Sequence, residues 1–210
     1  MHPDDCLILG PSVAQASAVA ILLHGRGRSP EEMRGIAEQL ALPSVRFLFP
    51  AAPGGSWYPK NFRSPLAENE PGLSRSLAAY GDLAEAVIAA GTPPDKLVLG
   101  GFSQGACLTA ELLFRRPHRY GAAIIWTGSV IGPPGTEWPV HGALAGVPVY
   151  LSSSENDEWI TPAEVHAAET VLRRTGADVQ LRMLPERDHC VSEAEIADVR
   201  ALLMGRGLAL

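Results

Sequence analysis

The segment Gly101-Phe102-Ser103-Gln104-Gly105 places one serine between two glycines in a Gly-X-Ser-X-Gly pattern. Where this pattern serves catalysis, the serine occupies a strained turn between a strand and a helix, and small neighbours leave its hydroxyl accessible. An apolar run at 97–99 precedes the segment and a mostly apolar stretch follows it, as such a turn requires. We therefore predict that Ser103 is a nucleophile; the alternative is an incidental serine in a tight turn.

A serine hydroxyl reacts slowly near neutral pH unless a base accepts its proton and a third group orients that base. With this motif the residues follow in the order serine, acidic residue and histidine, and the histidine comes after a late strand. Of the six histidines, His189 has that position, whereas His166 falls within a predicted helix. His189 is therefore the predicted base; the alternative is an ordinary histidine in a surface loop.

The acidic residue is expected in the loop after the preceding strand, where Glu155, Asp157 and Glu158 occur close together. We favour Asp157 because it lies far enough beyond the strand to turn back toward His189. Glu155 and Glu158 remain alternatives, as does a solvated loop carboxylate without a role. Asp188 adjoins His189 in the chain, which makes an orienting geometry difficult.

Acyl transfer through a serine passes through a tetrahedral oxyanion, which two preorganised N–H groups must stabilise. The backbone N–H of Gln104 is one expected donor because it directly follows the serine at the start of a helix. The second is expected from His24-Gly25-Arg26-Gly27, which follows an apolar strand and whose glycines permit close approach. We assign it to the backbone N–H of Arg26 and expect His24 to fix the loop; an ordinary turn is the alternative.

These residues need a scaffold that brings distant loops together, and the apolar pattern predicts one. Six mostly apolar segments predict strands at 18–23, 45–49, 97–99, 122–126, 147–151 and 179–184. Five amphipathic or apolar segments predict helices at 30–40, 74–90, 105–116, 162–175 and 193–204. Their alternation predicts an α/β fold with a mostly parallel central sheet, helices on both faces and a single domain over residues 1–210.

Two loops, 51–73 and 128–146, are unusually long for connections within a compact domain. The first is a candidate lid or pocket loop. Within it, Trp57 and Tyr58 are candidates to line a substrate pocket, because aromatic rings bury a large area at low entropic cost. Packing of the loop is the alternative for both. Trp126 and Trp159 are expected to lie in the core.

Composition excludes several other classes of protein. The chain has 210 residues, of which 46% are hydrophobic and 19% charged, unlike a disordered or fibrous chain. A net charge of −6 argues against nucleic acid as a main partner. Three cysteines without a Cys-X-X-Cys pair argue against a disulfide framework or a cysteine zinc site. No apolar run is long enough to span a bilayer, so we expect no integral membrane segment. The unpaired cysteines and the acidic residues Asp4 and Asp5, where a signal peptide would be basic, predict a cytoplasmic location.

The motifs resemble the phospholipase/carboxylesterase family of small α/β-hydrolases, which includes acyl-protein thioesterases. The resemblance covers residues 18–203 and rests on segments 22–27, 50–53, 56–58, 100–106, 127–128 and 157–162 and on His189. It implies a triad of Ser103, Asp157 and His189, with Arg26 and Gln104 supplying the oxyanion donors. It also implies a small-molecule ester as substrate, no metal or organic cofactor, and a homodimer.

Three positions depart from the family's usual pattern. Arg28 stands near the place of an acidic residue, Ser154 replaces a common glycine before the acid, and Asp188 replaces a common glycine before the histidine. These departures favour a branch of small carboxylesterases over the acyl-protein thioesterases proper. The expected reaction is hydrolysis of carboxylic esters with short to medium acyl chains. A thioesterase, a lysophospholipase and a non-catalytic binding protein on the same fold are the alternatives.

Overall fold

The continuous Val, Ile and Leu runs form the centre of a twisted sheet, because strands covered on both faces need apolar side chains throughout. The computed structural model describes residues 1–138 and 142–209. Over these residues the strands are β1 (Leu7–Leu9), β2 (Ala18–Leu23), β3 (Val45–Phe49), β4 (Leu97–Phe102), β5 (Ala122–Trp126), β6 (Pro148–Ser154) and β7 (Asp178–Leu184). They form one sheet in the order β1-β3-β2-β4-β5-β6-β7, in which only β1 is antiparallel to its neighbour.

The predicted α/β architecture is confirmed, with three differences in the strands. The strand predicted at 147–151 extends to Ser154. The edge strand β1 was missed because three residues are too short to show a hydrophobic period. The strand predicted at 97–99 continues through Gly100 and Gly101 to Phe102. A side chain at Gly101 would not fit, since its Cβ would lie 2.6 Å from the carbonyl carbon of Gly105 and 2.8 Å from the Leu23 oxygen.

Five helices cover the sheet within the described parts of the chain: α1 (Pro30–Leu40), α2 (Gly72–Ala89), α3 (Gln104–Arg115), α4 (Pro162–Arg174) and α5 (Glu193–Gly205). Helices α2, α3 and α4 pack on one face, where their apolar side chains form one core with the sheet. Helices α1 and α5 pack on the other face and close a second core. None of these helices is long and apolar enough to cross a membrane.

Parallel strands bring their carboxyl ends to one edge, so the loops after β2, β4, β6 and β7 lie together there. Each of these loops contains one of the residues identified above: Arg26 follows β2, Ser103 follows β4, Asp157 follows β6 and His189 follows β7. The topology alone therefore places the candidate side chains at one rim, although they span more than half of the chain.

Candidate active site

Ser103 lies in a strained backbone turn between β4 and α3. Its φ of 55° and ψ of −116° are unusual for a residue with a side chain, and neighbouring hydrogen bonds hold it there. Its N–H donates to the Trp126 carbonyl over 3.0 Å, and its carbonyl accepts from Cys107 over 3.0 Å. The turn leaves the side chain facing the rim, half-buried between the loops that meet there.

His189 contacts Ser103 with one ring nitrogen and a carboxylate with the other. Its Nε2 lies 2.8 Å from Ser103 Oγ, and its Nδ1 lies 2.9 Å from Asp157 Oδ2. With the proton on Nδ1, the imidazole donates to Asp157 and Nε2 is free to accept the serine proton. The ring packs against Phe102, with centroids 4.9 Å apart, which limits its rotation.

Asp157, and neither Glu155 nor Glu158, is the carboxylate that reaches His189. Both glutamates are exposed, whereas Asp157 is buried and its Oδ1 accepts the N–H groups of Trp159 and Ile160 over 3.0 and 2.9 Å. Burial by itself raises the pKa of Asp157. The hydrogen bonds from His189 and from the two backbone amides outweigh it, so that the pKa is held below its ordinary value.

The segment after β2 passes close to the serine. A Cβ built on Gly25 would lie 3.4 Å from Ser103 Cβ, and Arg26 shares a small cavity with Ser103 and Gln104. Within the described residues, the backbone N–H groups of Arg26 and Gln104 have no hydrogen-bond acceptor in the protein. Unpaired amides beside a reactive hydroxyl are the arrangement that an oxyanion site requires.

His24 fixes the loop that contains Arg26, as predicted. Its Nδ1 lies 2.7 Å from the Gly25 carbonyl, and its Nε2 accepts the Ala52 N–H over 3.0 Å. The indole of Trp57 donates to the His24 carbonyl over 2.8 Å. Burial lowers the pKa of His24, so the ring stays neutral and keeps the lone pair on Nε2 that Ala52 needs.

The side chains of Arg26 and Gln104 have a role that sequence reasoning missed. Gln104 Oε1 accepts the Trp57 N–H over 3.0 Å, and Gln104 Nε2 donates to the Tyr58 carbonyl over 2.8 Å. Arg26 donates to the Tyr58 and Pro59 carbonyls, each over 2.9 Å. Both residues therefore bind the backbone of the pocket loop. No motif marks this contact, because the acceptors are carbonyl groups that every residue carries.

A cavity of about 70 Å³ lies beside Ser103. The residues that line it are Arg26, Tyr58, Asn61, Phe62, Ser103, Gln104, Cys107, Trp159 and Ile160. Burial raises the pKa of Cys107 to about 11, and burial also raises that of Tyr58, so both groups form a neutral wall. The cavity is thus small and largely uncharged apart from Arg26 at its edge.

The structure corrects two expectations about tryptophans. Trp57 does not line the cavity beside Ser103. Its side chain is buried and borders a separate cavity of about 590 Å³, whose lining includes none of Ser103, Asp157 and His189. Trp159 is not in the core but 57% exposed, with its ring centroid 6.4 Å from that of His189. The sequence offered one indication of this position, because Trp159 lies in the loop after β6, two residues beyond Asp157.

A mostly parallel sheet with a serine in a strained strand-to-helix turn, next to a histidine–carboxylate pair, defines the class of α/β-hydrolases. The model of the phospholipase/carboxylesterase family matches residues 6–204. The chain therefore belongs to the phospholipase/carboxylesterase family, a family of hydrolases that act on esters.

Similar proteins agree with this family. An acyl-protein thioesterase 1 of Eremothecium gossypii is 34% identical over 157 residues, which is 66% of this chain and 65% of that protein. A probable carboxylesterase of Oryza sativa subsp. japonica is 24% identical over 94% of this chain and 92% of its own length. The crystal structure of a phospholipase/carboxylesterase from Dyadobacter fermentans has a TM-score of 0.89 at 30% identity, covering 95% of this chain and 96% of that chain.

Proposed function

We propose that this protein hydrolyses carboxylic esters through an acyl-enzyme on Ser103, with His189 as general base and Asp157 as the acid that orients it. The observation that carries the proposal is the continuous chain of contacts from Ser103 Oγ to His189 Nε2 at 2.8 Å and from His189 Nδ1 to Asp157 Oδ2 at 2.9 Å. A protein that only bound esters would have no use for a serine whose proton can pass to an imidazole that a carboxylate orients.

The steps follow from the chemistry of these groups. Ser103 Oγ bonds to the ester carbonyl carbon while its proton passes to His189 Nε2, and the carbonyl electrons move to the oxygen. The N–H groups of Arg26 and Gln104 stabilise that oxyanion. As the tetrahedral intermediate collapses, the alcohol leaves with the proton from His189. A water molecule then gives a proton to His189 and attacks the acyl-enzyme. As this second tetrahedral intermediate collapses, the carboxylic acid is released and His189 returns the proton to Ser103 Oγ.

The size of the cavity supports short acyl chains within the predicted range of short to medium ones. A volume of about 70 Å³ beside Ser103 is enough for only a few non-hydrogen atoms. Tyr58, Phe62 and Ile160 are buried and form part of its wall. We therefore infer that acetyl and propionyl esters are better substrates than esters of long fatty acids.

A thioesterase is the second candidate, and the likeness to an acyl-protein thioesterase 1 favours it. The proposed machinery treats oxygen and sulfur leaving groups alike up to the collapse of the intermediate. A thiolate needs less help from His189 as it leaves, because thiols are more acidic than alcohols. Paired oxygen and sulfur esters of the same acyl group distinguish the two activities.

The proposal is tested by a panel of p-nitrophenyl esters of increasing acyl length, with matched thioesters, measured on wild type and on Ser103→Ala. We expect turnover that falls with acyl length and is abolished by the substitution. Labelling by a fluorophosphonate probe should also be lost. Activity retained in pure Ser103→Ala protein would overturn the mechanism.

All the groups invoked belong to one chain, so the reaction needs no second copy. The homodimer implied by the family resemblance therefore has no required part in catalysis. We expect specific activity to stay constant on dilution through any dimer dissociation detected by size-exclusion chromatography.

A further inference from the structure

The loop between β7 and α5 contains a buried arginine that the proposed reaction does not use. The side chain of Arg187 is only 4% exposed, although it precedes the candidate base by two residues. A guanidinium is costly to bury unless its charge and its donors are satisfied. Its contacts therefore indicate what holds it in place.

Arg187 binds the backbone on both sides of His189. Its Nη1 donates to the Asp188 carbonyl over 2.7 Å and to the Cys190 carbonyl over 2.5 Å. Its Nη2 donates to Thr127 Oγ1 over 2.6 Å, which ties the loop to the end of β5. The planar guanidinium thus holds the Asp188 carbonyl before His189 and the Cys190 carbonyl after it, and it fixes both to the end of β5.

Two buried carboxylates face the same guanidinium. Asp157 Oδ2, which accepts from His189 Nδ1, lies 3.9 Å from Arg187 Nη1. Glu195 Oε2 lies 3.3 Å from Arg187 Nε, and both carboxylate side chains are fully buried. Glu195 also accepts hydrogen bonds from Ser192 and from Ser152, so its position is fixed independently of the arginine.

Resting on the proposed function, we propose that Arg187 is the positioning residue of the general base. It binds the carbonyl groups before and after His189, and its cation lies beside the Asp157 carboxylate that contacts the imidazole. A cation beside the shared carboxylate disfavours a second cation on the ring, whereas Glu195 favours it. The two residues therefore act in opposite directions on the protonation of the same imidazole.

The charged groups around His189 come from five elements. Asp157 follows β6, Glu195 belongs to α5, and Arg187 and Asp188 belong to the same loop as His189. Arg28 follows β2; its Nη2 lies 3.4 Å from the His189 carbonyl, and it pairs with Glu32 of α1. Arg28, Glu32 and Asp188 are solvent-accessible, so water and salt screen them. The buried pair of Arg187 and Glu195 has the stronger influence.

The test is the pH dependence of kcat/KM for a short-chain ester, measured on four variants of the full chain. Arg187→Met should lower kcat about 100-fold, because the loop that positions His189 is no longer held. It should also move the midpoint of the acid limb of the pH profile upward by about 0.5 pH units or more, because the cation that disfavours protonation of the imidazole is removed. Glu195→Gln should move that midpoint downward, because glutamine keeps the helix cap but removes the negative charge. Arg187→Lys should lower kcat while leaving the midpoint near that of wild type, because it keeps the charge and loses the fork of donors.

Arg182→Met is the matched control, since it removes the same charge from a side chain that is 48% exposed on β7. We expect its profile to superimpose on that of wild type. A purely structural role would slow all variants without opposite shifts, so coincident midpoints for Arg187→Met and Glu195→Gln would overturn the inference. If Arg187→Met does not fold, as judged by circular dichroism, Arg187→Lys and Glu195→Gln decide the question. If the Ser103→Ala variant instead kept the activity of the wild type, the proposed function itself would be rejected.

Discussion

The side-chain Nε2 of Gln104 donates to the carbonyl oxygen of Tyr58 over 2.8 Å. Arg26 Nη2 donates to the same oxygen over 2.9 Å. Arg26 and Gln104, which line the cavity beside Ser103, thus also hold the wall of that cavity with their side chains. Further along the loop, the Phe62 carbonyl accepts the Gly132 N–H over 2.7 Å. We therefore expect segment 51–73 to act as a fixed wall and not as a lid.

Substitution of Gln104 by alanine keeps the backbone amide and removes only the link to the pocket loop. We expect a loss of about 1–3 kcal/mol in the free energy of unfolding, because the buried Trp57 N–H then has no partner. The measurement is urea denaturation, together with kcat/KM for short and longer esters. Gln39→Ala is the control, since Gln39 is exposed on α1, and it should change stability by less than about 0.5 kcal/mol.

Single substitutions in the proposed triad should not be additive. We expect Ser103→Ala and His189→Ala each to lower kcat by about 10⁶ and Asp157→Ala by about 10⁴, with double variants little worse than the worst single. Steady-state kinetics on p-nitrophenyl acetate measures these values. His166→Ala, on the exposed side of α4, should keep full activity. If Glu155→Ala lost its activity while Asp157→Ala kept it, the assignment of Asp157 as the triad acid would be wrong.

The buried neutral His24 makes stability depend on pH. Its pKa in the folded protein lies below the ordinary value of 6.5, so between the two values the unfolded chain binds more protons. The stabilisation is therefore present above pH 6.5 and is lost as the pH falls through the folded-state value. We expect the stability difference between wild type and His24→Gln to be larger at about pH 7.5 than at about pH 5.5, as measured by urea denaturation.

Trp57→Phe is the control for that experiment. It removes the indole hydrogen bond to the His24 carbonyl without removing a titratable group. Its cost in stability should be the same at both pH values. A His24→Gln cost that is equally independent of pH would contradict the assignment of a neutral, buried imidazole.

Enlarging the cavity beside Ser103 should extend the acyl chains that are accepted. Ile160→Ala removes a buried part of the wall but keeps the backbone N–H that binds Asp157. We expect the ratio of kcat/KM for butyryl over acetyl esters to rise, with a loss of about 2–5 kcal/mol in stability. Val87→Ala, a buried substitution on α2 away from the cavity, is the control for stability alone. An unchanged ratio would mean that acyl chains lie elsewhere.

Much of this site could be predicted from the sequence because its requirements are local. The turn at Ser103 needs small neighbours and a strand before it, and both can be identified within a few residues of the chain. The order of Ser103, Asp157 and His189 follows from the direction of parallel strands, whose carboxyl ends meet at one edge. For the same reason the helices were found close to their observed bounds, since amphipathic periodicity and capping residues are local signals.

Other features were decided only by the tertiary structure. Which of Glu155, Asp157 and Glu158 contacts His189 depends on which carboxylate the loop turns inward, and the backbone amides that hold Asp157 there are presented only by the folded loop. The exposure of Trp159 depends on packing against distant segments, as does the role of the Arg26 and Gln104 side chains. The burial of Arg187 between Asp157 and Glu195 has no sequence pattern, because long-range charge pairing leaves no period along the chain.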